Sequence, residues 1–273
     1  MADIDWGALL PPFTPDQRGG KLDHFQIATM EWVQGEFLLL CGPNEVADQI
    51  RQSAGGFCGE ARLDRETKKT FTHGIYFPNG VPTFITDLAE LLQNCLSIPS
   101  PDQVDHAMAL DWYNQPNDDG EIVKTEAGYW IWTTKYASHP EYNNSKHSRR
   151  QIITALVDFI ARHPLFASAS AIVTAPGHNA DGQGFGEVLA REVANRAGIP
   201  FVESTSPGPR PAQKETPQDL SDIFTVASPL AGTIIVLDDV FHTGGSATGA
   251  AAAARRAGAA TVLLLVVART IRK

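Results

Sequence analysis

Apolar and polar positions alternate along this chain in short blocks whose period changes repeatedly between that of a strand and that of a helix. In the second half the order is regular. Helical spacing over 148–162 gives way to an apolar run over 169–175, then to helical spacing over 186–197 and a short strand near 199–203. After a loop of Pro, Gly, Ser and charged residues come an apolar run over 232–237, a small-residue helical stretch over 244–257 and a further apolar run over 261–268. Apolar strands interleaved with helices predict an α/β domain whose mainly parallel sheet is flanked by helices on both faces. Ligands in such sheets bind beyond the carboxyl ends of the strands, so the chemistry is sought there.

The first half is less regular. The prolines between residues 10 and 15 predict an extended arm, because proline cannot continue a helix. Residues 36–43 form an apolar run closed by Gly42-Pro43, which reads as a strand, and Asn44 is placed to cap a helix over 45–53. Aromatic and β-branched residues over 70–85, broken by Pro78-Asn79-Gly80, predict a hairpin, and 86–95 return to helical spacing. Trp130 and Trp132 alternate about Ile131, which predicts a strand packed on one face. Pro, Asp and Asn are frequent over 97–120, a composition of turns and linkers. The expected organisation is therefore an N-terminal α+β module over 1–125 and the α/β domain over 126–273.

With 43% hydrophobic and 19% charged residues in 273, the composition is that of a globular protein. The formal net charge of -9 excludes a broad basic footprint for nucleic acid, although a small cationic pocket for one phosphorylated metabolite fits inside an acidic protein. Cys41, Cys58 and Cys95 form no CxxC pair and read as reduced thiols. The acidic N-terminus has no signal-peptide pattern and no apolar run approaches the roughly 18 residues of a membrane span, so a cytoplasmic location without membrane partners is expected.

The most informative stretch is Thr233 to Ala247, where an apolar strand ends in Asp238-Asp239 and a loop, Val240-Phe241-His242-Thr243-Gly244-Gly245-Ser246, opens a helix. Adjacent carboxylates can accept hydrogen bonds from vicinal ribose hydroxyls. Gly244 and Gly245 let backbone amides approach a phosphate, Thr243 and Ser246 add hydroxyl donors, and the helix start favours an anion. The same residues could instead be a solvated acid pair beside an ordinary helix cap. Other candidates are weaker. Gly182-Gln-Gly-Phe-Gly186 would place Glu187 where a dinucleotide fingerprint needs its last glycine, and His139, His147, His163 and His178 lack HExxH spacing, which suits solvated or capping roles better than a metal. Ser148-Arg149-Arg150 reads as a charged first turn of a helix, with a phosphate contact as the alternative.

The stretch around Asp238 resembles the phosphoribosyl pyrophosphate (PRPP) motif of the type I phosphoribosyltransferases. The segments that precede and follow it are similar to the competence protein F-like (ComF-like) branch: Thr134-Lys135-Tyr136, Ala171 to Gly177, Gly184 to Ala190, Arg210 to Lys214 and Val267 to Thr270, over about residues 128–270. The resemblance implies a transferase that uses PRPP and Mg²⁺ to attach ribose 5-phosphate to a nitrogen acceptor, a nucleobase or similar, releasing pyrophosphate. In that reading Asp238 and Asp239 hold the ribose hydroxyls and residues 240–246 hold the 5-phosphate. Ala175, Pro176 and Gly177 meet the pyrophosphate, and Arg210 and Lys214 close over it from a mobile loop. Lys135 and Tyr136 are further site candidates, and Mg²⁺ arrives on substrate oxygens without a dedicated protein ligand.

Three features depart from that family. His242 stands where a hydroxyl residue usually begins the phosphate loop, the N-terminal half has no cysteine-rich zinc ribbon, and the loop over 206–218 offers only Arg210 and Lys214 as cations. These departures leave open a second reading, a non-catalytic PRPP or nucleotide sensor acting through a partner protein. The N-terminal half is then a hood over the acceptor, a homodimer interface or a partner surface.

Overall fold

The computed structural model describes residues 19–135, 145–211 and 218–271. Strands β1 (His24–Met30) and β2 (Val33–Cys41) form an antiparallel hairpin, followed by helix α1 (Asn44–Ala54) and strands β3 (Gly59–Glu60) and β4 (His73–Phe77). These strands make a four-stranded antiparallel sheet in the order β1-β2-β4-β3. Helix α2 (Thr83–Asn94) leads to β5 (Leu96–Ile98), β6 (His106–Trp112) and a two-stranded ribbon, β7 (Asn114–Pro116) with β8 (Ile122–Lys124).

Helices α3 (Glu126–Lys135), α4 (Ser145–Arg162) and the short α5 (Pro164–Ala167) precede β9 (Ala169–Val173) and helix α6 (Phe185–Ala197). A two-stranded element, β10 (Ser204–Thr205) with β11 (Thr225–Val226), precedes β12 (Thr233–Phe241), helix α7 (Gly245–Arg256) and β13 (Thr261–Arg269). The main sheet runs β5-β6-β13-β12-β9. Its strands β6, β13, β12 and β9 are parallel and β5 is an antiparallel edge.

Period-two alternation divides the central strands between two cores. Ile235 and Leu237 of β12, with Leu263, Leu265 and Val267 of β13, face a core that contains α4, α6, both N-terminal helices and strands β2 and β4. Ile234, Val236, Val262, Leu264 and Val266 face the opposite core beneath α7. The alanines of α7 supply that contact. Ala247, Ala250, Ala251 and Ala254 are buried, and their small side chains let the helix lie close to the sheet.

Several sequence expectations are corrected. Residues 97–120 are no simple linker, because β6 lies within them and pairs with β13 from His106 opposite Leu263 to Trp112 opposite Arg269. The main sheet thus takes strands from both sides of residue 125. The apolar content of β6 is carried by Ala, Met and Leu, weak strand formers, and burial between neighbours decides its state. No hairpin spans 70–85 either. After β4 the Pro78-Asn79-Gly80 turn leads to Pro82 and into α2, whose Ile85, Leu88, Ala89, Leu91 and Leu92 bury one helical face. Trp130 and Trp132 lie on α3, where Ala127 and Ile131, four residues apart, are buried together with Gly128 and Thr133. Asn44 is the first residue of α1, and Pro43 occupies the cap position without a side-chain bond. Among the described residues no helix is long and apolar enough to cross a membrane.

Candidate functional site

Strand β12 does not stop at the acid pair. Parallel pairing with β13 continues through Asp238 opposite Val266 to Phe241 opposite Arg269, so both carboxylates project from the final residues of a central strand. Their partners differ. Asp239 is buried and its carboxylate pairs with the Lys135 ammonium at the end of α3. Asp238 accepts a hydrogen bond at Oδ1 from the Asp239 amide (2.8 Å) and lies against Gly186, where a Cβ would come within 2.9 Å of that oxygen. Glycine at 186 is what gives Asp238 its place.

Burial, and then the neighbouring Asp239 charge, push the Asp238 carboxyl up to about 7, with the Asp239 amide and Lys135 working in the other direction. Burial disfavours the Lys135 ammonium, but the Asp239 and Asp238 carboxylates outweigh it and hold its pKa above the ordinary value. Lys135 therefore stays charged, and it offsets part of the repulsion between the two acids.

The phosphate loop follows directly. Gly244 has φ +84°, and a Cβ there would meet the Phe241 ring at 3.2 Å and Pro101 at 3.3 Å, so this turn requires glycine twice over. Thr248 donates its amide to the Gly244 carbonyl (2.8 Å), which starts α7 and leaves the first amides of the helix facing the loop. A pocket lined by Phe241, Thr243, Gly244, Gly245 and Ser246 lies at this helix start, the environment that favours an anion. His242 is exposed and its Nδ1 lies 3.0 Å from the Thr270 hydroxyl, while the Thr270 amide donates to the Phe241 carbonyl (3.0 Å). The imidazole is thereby tied to the end of β13.

The segment after β9 forms the opposite wall. Thr174 donates its hydroxyl to the Leu237 carbonyl (2.6 Å), joining this loop to β12. Glu187, buried at the start of α6, accepts the Gly184 amide at 2.8 Å and closes the loop into the helix. Arg210 reaches across from the far side. Its Nη2 donates to the Pro176 carbonyl (2.6 Å), its amide donates to the His178 carbonyl (2.8 Å), and its guanidinium stacks over Phe224 at 5.2 Å. Burial lowers the Arg210 pKa, against Asp238 and Glu187, which raise it; a guanidinium remains charged at neutral pH regardless.

One cleft of about 290 Å³ is lined by Lys135, Ala175, Pro176, Gly177, Arg210, Asp238, Asp239, Val240, His242 and Ser246. The other loop candidates, Phe241, Thr243, Gly244 and Gly245, line the adjoining pocket, which shares Asp238, Val240, His242 and Ser246 with the cleft. Lys214 and Tyr136 lie outside the described residues. His178, Gly184, Phe185, Gly186 and Glu187 also line the cleft and were not singled out as site residues from the sequence. Their signal was present in Gly184-Phe-Gly-Glu187, a helix start with an acid at its third residue.

The remaining sequence candidates go elsewhere. Arg149 makes a two-pronged contact with Glu192 at 2.8 and 2.7 Å, joining α4 to α6. His163, expected to be solvated or capping, is fully buried, with Nε2 2.9 Å from the Gln49 side-chain oxygen. The Trp132 ring receives the Lys124 ammonium at 5.0 Å.

A scan of the sequence against protein-family models finds no match, and a search of curated proteins finds none. Among solved structures, a crystal structure of adenine phosphoribosyltransferase is 18% identical, aligned over 58% of this chain and 94% of that chain with a TM-score of 0.32.

Proposed function

We propose that the chain binds PRPP in this cleft and, with Mg²⁺, transfers ribose 5-phosphate to a nitrogen acceptor, a nucleobase or similar. The observation that carries the reading is the convergence of a carboxylate pair, a glycine-opened helix start and an arginine on one cleft at the carboxyl ends of parallel strands. The C1–oxygen bond to pyrophosphate breaks, the C1–nitrogen bond forms, and the acceptor nitrogen gives up its proton. Positioning and charge stabilisation are the main tasks in such a reaction.

Asp238 and Asp239 accept the ribose hydroxyls and the loop over 242–246 receives the 5-phosphate. Arg210, 2.6 Å from the Pro176 carbonyl, stands where a leaving pyrophosphate meets the 175–177 loop. Mg²⁺ supplies neutralisation of pyrophosphate charge. The protein's carboxylates suit a metal carried by substrate oxygens, since Asp239 is engaged by Lys135 and Glu187 by the Gly184 amide. The segment order favours the ComF-like branch without its zinc ribbon. The N-terminal half is then a hood, a dimer interface or a partner surface, and the compartment the cytoplasm.

The test is incubation with PRPP, Mg²⁺ and a pool of bases, scored by pyrophosphate release, beside calorimetric titration with PRPP. Binding and release are expected together, and Asp238→Asn combined with Asp239→Asn weakens PRPP binding on the order of tenfold or more, a loss of about 1.4 kcal/mol. Unchanged binding in that double variant sinks the site assignment. Binding without release with every base selects the sensor reading, which the engagement of Arg210 by Pro176 and Phe224 favours.

A further inference from the structure

Asp23, His24 and Cys41 bring a carboxylate, an imidazole and a thiol together on the N-terminal sheet, outside the cleft. The three donor atoms lie within 4.8 Å of one another. We propose that they form a binding site for a borderline-soft divalent cation, Zn²⁺ above all, with water completing the shell. Nothing in the transferase reading uses these residues, so the proposal stands independently of it.

The placement is a consequence of strand register. His24 opens β1 directly opposite Cys41, the last residue of β2, and directly opposed residues of an antiparallel pair project to the same face. Asp23 is held beside them by its own backbone. Its amide donates to the Cys41 carbonyl (2.8 Å) and its carbonyl accepts from the Gln93 side chain (3.2 Å). The preceding residue, Leu22, is buried and donates its amide to Leu92 on α2 (2.9 Å), which fixes the approach of the chain. The His24 ring rests against Phe71 at 5.2 Å, and its Nδ1 lies 3.0 Å from the Asp23 carboxylate.

Tetrahedral zinc, with bonds of about 2.0–2.3 Å, sets its donor atoms roughly 3.3–3.8 Å apart. The three donor atoms already lie within 4.8 Å of one another, and the His24 and Asp23 side chains, 44% and 76% exposed, have solvent on one side into which they can turn to reach that separation. Donor chemistry selects the ion. A thiolate and an imidazole bind Zn²⁺, Co²⁺ or Cd²⁺, whereas Mg²⁺ and Ca²⁺ require oxygen ligands. A cation here ties the start of β1 to the end of β2, and so clips the open end of the hairpin.

Co²⁺ titration of the full chain under reducing conditions, followed in the near ultraviolet and visible, tests this. One equivalent is expected to give a thiolate-to-cobalt charge-transfer band that Zn²⁺ abolishes and excess Mg²⁺ leaves intact. Cys41→Ser removes the band, Cys58→Ala leaves it unchanged, and His24→Ala weakens binding by at least the roughly 10–100-fold that losing an outer-shell partner costs. Asp23→Asn, at an exposed side chain, gives the same weakening if Cys41→Ser does not fold. No band in the parent protein, a band that survives Cys41→Ser, or its displacement by Mg²⁺ overturns the proposal.

Discussion

Asp238 has its carboxyl raised from an ordinary value of 3.8 to about 7 by burial and by the charge of Asp239. The native protein therefore holds a proton that the unfolded chain releases across that window, and stability falls as pH rises through it. Asp238→Asn removes this term. Its melting temperature is expected to exceed the parent's at about pH 8 and to meet it near about pH 4; equal melting temperatures at both values would show that the carboxyl is not held protonated. The acid pair itself was legible in the sequence, because two carboxylates after an apolar strand are a local pattern. Lys135 was legible only as a site candidate, and its pairing with Asp239 was not legible at all. The two are far apart along the chain, and packing of α3 against the sheet brings them together.

At the scale of elements, His163 joins α1 to the junction of α4 and α5. Its Nε2 meets the Gln49 side-chain oxygen, Gln49 donates in turn to the Glu45 carbonyl (3.1 Å), and the ring packs against Phe159 and Phe166. Burial first, and the nearby His106 second, lower its pKa from 6.5 to about 3. A lowered imidazole contributes stability that is whole above the unfolded value and is lost as pH falls from there toward about 3. His163→Leu leaves the Gln49 oxygen without this partner, a cost of about 1–3 kcal/mol at neutral pH. The same change removes the titration, so the variant loses about 2 kcal/mol less than the parent between neutral pH and about pH 5. Urea unfolding at the two pH values measures both effects; parallel losses would mean that His163 is protonated in the native state. No local pattern signals this contact, since a histidine after a helix and a glutamine inside another are ordinary until the helices pack.

At the scale of the whole molecule, β6 supplies the neighbour on which β13 depends. Six residue pairs from His106 to Trp112 join the two strands. A fragment of residues 126–273 would expose that long apolar edge, a template for association. It is therefore expected to aggregate or to lack fixed tertiary structure, while the full chain unfolds in one transition; a soluble, cooperatively folding fragment would refute the dependence. Local sequence determined the α/β alternation of the second half, the apolar strands β9, β12 and β13, and the glycine-opened helix beyond the acid pair, because each follows from periodicity or from a backbone conformation that few residues allow. The tertiary structure alone decided that β5 and β6 join the main sheet, that Trp130 and Trp132 ride a helix, and that Glu187 lines the same cleft as Asp238. These depend on burial and on contacts between distant residues, and no local pattern encodes which partner a buried face or a charged side chain will meet.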